Sequence, residues 1–260
     1  MSIKPSRLAV LVLAWIVVAL AVSALAARLS YQHARDAQRD DAAVQLAADA
    51  QALESALEKY ETLPFVIALH PLVAAGLQAP ADAPRIAALD RYLAEVQRRA
   101  RVAAAYVILP SGLTIAASNY DTTQSFVGNN YRFRPYMGSA LAGRTGRFYG
   151  IGATTGEPGY FLGQPVFGPA PAGAGTPPVI GVVVIKIDLA DAEKSWPPGG
   201  DEPVALADGH GVVFLANVAS WKYRSLAPLS DDARREIRRT QQYAGKDVAA
   251  LVPADHRWPL

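Results

Sequence analysis

Cysteine is missing from the 260 residues, which excludes disulfides, thiolate metal sites and cysteine nucleophiles. Histidine is scarce: His33, His70, His210 and His256 are scattered, with no pair four residues apart to place two imidazoles on one helix face. No metal and no cofactor is therefore expected. The chain also lacks a GxSxG elbow and a P-loop, so nothing in it points to an enzyme as it stands. A large charge of either sign is absent too. The net charge is +2 with no basic arm, which gives no footprint for nucleic acid.

From Leu8 to Leu63 there is no glycine and no proline, in a chain that has 20 of one and 19 of the other. Keeping breakers out of so long a stretch predicts continuous helix. Its first part, LAVLVLAWIVVALAVSALAA at 8–27, is uncharged and long enough to cross the roughly 30 Å hydrocarbon layer. A cleaved signal peptide is the competing reading, but the apolar run exceeds the usual 7–15 residues and favours an uncleaved anchor. Lys4 and Arg7 place residues 1–7 in the cytoplasm, against Arg28, Arg35 and Arg39 on the other side. Residues 28–63 would then form a stalk about 54 Å long in the periplasm. Leu46, Leu53, Leu57 and Tyr60 repeat along it with coiled-coil-like spacing, which suits a parallel homodimer. A helix packed on its own domain through the same stripe fits equally well.

Beyond Pro64 the pattern is α+β. A helical segment over 83–101 precedes short strands punctuated by turn residues. AAAYVIL, Pro110-Ser111-Gly112 and LTIAAS form a hairpin; VALA, Asp208-Gly209-His210-Gly211 and VVFLAN repeat the design. The repetition suggests two related modules, 64–195 and 196–260, with WPPGG at Trp196–Gly200 as the boundary. His210 reads as an exposed turn residue. GPAPAGAGTPP, residues 168–178, reads as an exposed loop, and SDDARREIRRTQQY as a capped helix. VIGVVVIKIDL, Val179 to Leu189, is a central strand covered on both faces. Lys186 interrupts it, sharing a parity with Val182, Val184 and Asp188, and either pairs near the strand end or projects into a cavity.

Acidic residues are missing from NYRFRPYMGSALAGRTGRFYG, Asn130 to Gly150, which carries four arginines and five aromatics. Between Asp121 and Asp188, five cations face one carboxylate, Glu157, a local charge of +4. Beyond a membrane span such a region suits a small carboxylate rather than nucleic acid, through arginine forks and phenolic hydroxyls. Arg144 and Arg147 read as solvated residues near a helix end. Of Arg132 and Arg134, alternation turns only one inward, and spacing does not choose between them.

NYRFRPY, GRFYGIGATTGEPGYFL (Gly146 to Leu162), VVVIKIDL (Val182 to Leu189) and WKYRSLAPLS (Trp221 to Ser230) together resemble the sensor region of the C4-dicarboxylate sensor histidine kinases. The resemblance implies an N-terminal span, a long helix and tandem periplasmic PAS-like (double Cache) modules with antiparallel sheets. It implies that the membrane-distal module binds succinate, fumarate or malate. By the same resemblance, Arg134 and Lys186 clamp the two carboxylates, and Tyr131, Tyr136, Thr154, Thr155 and Tyr160 line the pocket. A turn-capping role fits either threonine alone as well. The family's second span, phosphoacceptor helix and ATP-binding domain have no counterpart in these residues, and the second module reads as incomplete after Leu260. The implied protein is thus the input region of an ATP-dependent protein-histidine kinase in the inner membrane. A Cache-type sensor for another small carboxylate, feeding a chemotaxis or cyclic-dinucleotide output, is the alternative.

Overall fold

The computed structural model describes residues 5–170, 177–194, 196 and 203–251, without the side chains of residues 5–14, 17, 191 and 192. The expected boundary at 197–200, most of the 168–178 loop and part of the 8–27 span thus lie outside the described residues or side chains. The chain divides into two compact units, residues 1–56 and 57–260.

Helix α1, Pro5–Glu58, accounts for the first unit. Its described apolar side chains are open, with Trp15 74% and Leu20 65% exposed. Among the described residues no single helix is long and apolar enough to cross a membrane; a bent pair, Val18–Ala68 with Pro71–Gln78, is so by length and composition. The second member of that pair is buried in the core through Val73 and Leu77, which argues against its spanning a bilayer.

The helix expected through Leu63 ends at Glu58, followed by turns and a new helix, α2 (Leu63–Ala68), with Pro64 in its first turn. Leu57 and Tyr60, the last members of the apolar repeat, pack on the core of the second unit. Hydrophobic burial there outweighs continuation of the helix.

In the second unit, α2, α3 (Pro71–Gln78) and α4 (Ala83–Ala100) precede a five-stranded antiparallel sheet. Asp82 caps α4 through its carboxylate, which accepts from the Arg85 amide at 3.1 Å. The strands are β1 (Ala104–Ile108), β2 (Thr114–Ala117), β3 (Gly146–Ile151), β4 (Pro158–Phe167) and β5 (Val179–Asp188), in the spatial order β2-β1-β5-β4-β3. The β-branched run of β5 therefore occupies the centre, as its lack of exposed parity requires. Gly112 closes the β1–β2 hairpin at φ +95, where a Cβ would collide with Arg132.

The two faces of this sheet have different cover. One carries Ala105, Val107, Leu162, Val183 and Ile185 in a core shared with α2, α3 and α4. The other carries Tyr106, Phe161, Val182 and Val184, covered by α5 (Pro135–Leu141) and an aromatic loop. After α6 (Ala190–Lys194), β6 (Ala205–Ala207) and β7 (Val213–Ala216) form the second hairpin, followed by α7 (Asp231–Thr240). Ser230 caps α7 by accepting from the Ala233 amide, as the sequence pattern anticipates. Phe214, Leu215, Ile237 and Tyr243 join the first core, so the two sheets share apolar packing.

Candidate functional site

Alternation along β5 sends Val183, Ile185 and Ile187 to one face and Val182, Val184 and Lys186 to the other. Lys186 is only 4% exposed. Its ammonium donates to Thr155 Oγ1 at 3.0 Å and to the Glu157 carbonyl at 3.1 Å. Gly159, on the neighbouring strand, leaves room for the stem: a Cβ there would meet the Lys186 side chain at 2.6 Å. Burial pushes the Lys186 pKa below its ordinary value; Asp188 and Glu157 oppose that from a distance, and Arg134 reinforces it.

Arg134 sits at the N-cap position of α5 and is 3% exposed, whereas Arg132 turns to solvent. The choice that alternation left open is made by a turn leading into the helix cap, since these residues form no strand. Arg134 Nη1 donates to the carbonyls of Thr240 (3.3 Å) and Gln241 (3.2 Å), and Nη2 to that of Ile151 (2.7 Å). The rings of Phe133 and Phe148 flank the guanidinium at 5.2 and 5.1 Å. Burial lowers its pKa, partly countered by Tyr136, Tyr106 and Tyr131; no carboxylate among the described residues contributes.

Hydroxyls complete the face. Tyr131 hydrogen-bonds Thr154 through the two side-chain oxygens, and the Tyr106 and Tyr136 hydroxyls meet at 3.1 Å. Thr154 and Thr155 occupy the β3–β4 turn, which Gly156 closes at φ +71, so both hydroxyls aim inward. Burial raises the pKa of Tyr106, Tyr131 and Tyr136, keeping the phenols protonated as donors. A cavity of about 300 Å³ opens beside Lys186 and Thr155, walled by Asn119, Thr122, Thr123, Gln124 and Phe126. Two buried cations among protonated hydroxyls form an arrangement suited to holding an anion. A second cavity, about 330 Å³ beside α7, holds none of the predicted site residues.

Six of the seven predicted residues thus gather on one sheet face. Tyr160 does not. It pairs across the ladder with Ile187, stacks on Tyr149 at 4.9 Å and belongs to the opposite core. The period-2 rule puts Phe161, not Tyr160, beside Lys186. Desolvation there raises the Tyr160 pKa to about 12.

Arg147 also departs from expectation: it lies on β3 rather than at a helix end and forms an ion pair with Glu61 at 2.7 Å. Arg144 and His210 are exposed. Sequence reasoning missed Tyr106, Phe126, the 119–124 wall and the α7 carbonyls. Parity with Val184 across the β1–β5 ladder would have placed Tyr106, but only once the register was known.

No family model matches the chain. The chain is 33% identical over 202 residues to the C4-dicarboxylate transport sensor protein DctB of Pseudomonas aeruginosa, covering 78% of this chain. It is 31% identical over 208 residues to the protein of that name from Rhizobium meliloti, covering 80% of this chain. It spans about a third of the length of these curated relatives, 32% of each. The crystal structure of the V. cholerae histidine kinase DctB sensor domain superposes with a TM-score of 0.73 and 30% identity. That match covers 82% of this chain and 79% of the other, and the α+β fold, a long helix followed by tandem antiparallel modules, matches that of the sensor domain.

Proposed function

The chain belongs to the DctB-type family of C4-dicarboxylate sensor histidine kinases and corresponds to its sensor domain, not its kinase core; on that premise we propose that it binds succinate, fumarate or malate in the periplasm. The observation that carries this reading is a pair of buried cations, Arg134 and Lys186, on one sheet face with no carboxylate side chain hydrogen-bonded to either among the described residues. Burying two like charges is costly, and a dianion with a carboxylate at each end offsets that cost for both. Tyr131, Tyr136, Thr154 and Thr155 supply hydroxyls along the span. In this reading residues 8–27 anchor the protein in the inner membrane and the stalk pairs it with a second copy. Residues 64–195 form the membrane-distal ligand module and 196–260 begin the membrane-proximal one. Ligand binding shifts a two-state arrangement of the dimer and its membrane helices.

Isothermal titration tests the ligand class. Succinate should bind and butyrate, with one carboxylate, should bind far more weakly. Arg134→Ala should cost about 2–5 kcal/mol of succinate affinity by leaving a carboxylate unpaired. Arg134→Lys recovers only part of it, lacking the fork. Arg144→Ala, on the solvated surface, should match the parent. Parent-like affinity in Arg134→Ala, with the fold intact by circular dichroism, would sink the assignment.

A further inference from the structure

Arg134 reaches out of its own module. Its acceptors Thr240 and Gln241 lie more than 100 residues further along the chain, at the C-terminus of α7. The last carbonyls of a helix have no partner within it and carry the negative end of its dipole, so a cation there is favourable. Gln241 ends α7 in the left-handed region at φ 49, its amide turned back to the carbonyls of Arg238 and Ile237. That cap leaves the Thr240 carbonyl to the guanidinium, and the Gln241 carbonyl, which also accepts from the Ala244 amide at 2.9 Å, receives a second bond from it. A further bond crosses in the same direction, the Ile151 amide donating to the Gln242 carbonyl at 2.8 Å.

A guanidinium has five donors. Nη1 is used by Thr240 and Gln241, and one Nη2 hydrogen by Ile151. Nε and the other Nη2 hydrogen have no hydrogen-bond partner among the described residues. Nε and Nη2 share one edge, the edge on which arginine takes a carboxylate side-on. The long flexible side chain is thus held by Thr240 and Gln241 of the second module and by Ile151 of its own, with Nε and one Nη2 hydrogen left over.

We infer that the α7 C-terminus is a positioning element of the ligand site: the Thr240 and Gln241 carbonyls fix Arg134 in the orientation that meets a carboxylate. The inference rests on the dicarboxylate reading above and extends it to the regulation of the same site. Coupling of this kind is reciprocal: whatever displaces α7 weakens ligand binding, and ligand binding holds the α7 cap more firmly.

The test uses the full chain in detergent and succinate as the probe. The Gln241 side chain is exposed and its backbone is left-handed, so Gln241→Val strains the cap while Gln241→Gly relieves it. Gln241→Val should weaken succinate binding by about fivefold or more, with Gln241→Gly within about twofold of the parent. In the unaltered protein, saturating succinate should slow hydrogen exchange at the Ile151 and Gln242 amides. Equal weakening in both variants would assign the effect to the side chain and overturn the inference. Parent-like binding in both, with unchanged exchange at Ile151 and Gln242, would overturn it alone. No dicarboxylate binding by the unaltered protein would remove the ligand reading and this inference with it.

Discussion

The two faces of the five-stranded sheet are built from the same strands and both bury their side chains, yet they differ in what burial costs them. Ile185 and Lys186 are neighbours on β5 at 0% and 4% exposure. Ile185 faces α2, α3 and α4 across an apolar core, where every buried group gains by leaving water. Lys186 faces tyrosines, a threonine turn and Arg134, where two desolvated cations are hydrogen-bonded but, among the described residues, not paired directly with a carboxylate. Hydrophobic burial on one face holds the fold; polar burial on the other is an expense that, in the proposed reading, a ligand offsets. Exposure alone does not separate scaffold from site.

The largest expected effect separates the two faces directly. Ile185→Ala should lose about 2–5 kcal/mol of stability, read from the urea midpoint, because it opens a cavity in a closed core. Lys186→Met keeps the volume and removes an expensive charge, so its stability should stay within about 1 kcal/mol of the parent. Its succinate affinity should instead fall by about 2–5 kcal/mol in titration calorimetry. Should Lys186→Met unfold as readily as Ile185→Ala, the cation would be holding the fold and the contrast between faces would fail.

A smaller effect follows from pH. Burial holds the Lys186 pKa in the folded protein below the 10.5 of an unfolded chain. In the window between those values the unfolded chain binds the extra proton, so stability contributed by this group rises with pH. If binding requires the ammonium, as proposed, dicarboxylate affinity moves the opposite way: it should fall by up to about tenfold per pH unit through that window. The facing phenols, Tyr106, Tyr131 and Tyr136, are raised by burial and stay neutral there, while Arg134 stays charged. Lys186→Arg should flatten the profile. A parent affinity that holds steady to pH 10.5 would mean that the ammonium does not touch the ligand.

Much of the scaffold was legible because local signals agree with the fold. The β-branched run gave the central strand, Pro110-Ser111-Gly112 the first hairpin, and Ser230 the start of α7. Parity put Lys186 beside Val182 and Val184, but its acceptors come from the β3–β4 turn. Arg134 is the clearest case of what a local reading misses: its carbonyl partners are fixed by tertiary packing of a distant helix and leave no trace in its neighbourhood. The helix end at Glu58 is similar, because Leu57 and Tyr60 satisfy a heptad and a globular core equally well until the core is seen. Arg147 found Glu61 by the same kind of long-range contact.

The smallest expected effect tests the face assignment at its most exposed point. Family resemblance implies that Tyr160 lines the pocket, whereas the register pairs it with Ile187 and turns it toward Tyr149 and the second sheet. The two placements differ by one residue of parity, and Phe161 is the residue that faces the cations. Tyr160→Phe keeps the ring, its stacking and its burial, and removes only a hydroxyl on the far side of the sheet from Lys186. Succinate affinity should therefore change by less than about 0.5 kcal/mol, the range of substitutions remote from a contact. Phe161→Ala, by contrast, strips the ring from between the two cations and should weaken binding clearly. A Tyr160→Phe variant that loses affinity as Lys186→Met does would place its hydroxyl at the ligand. The register of β4 against β5 would then be off by one residue, and the assignment of every residue on both faces with it.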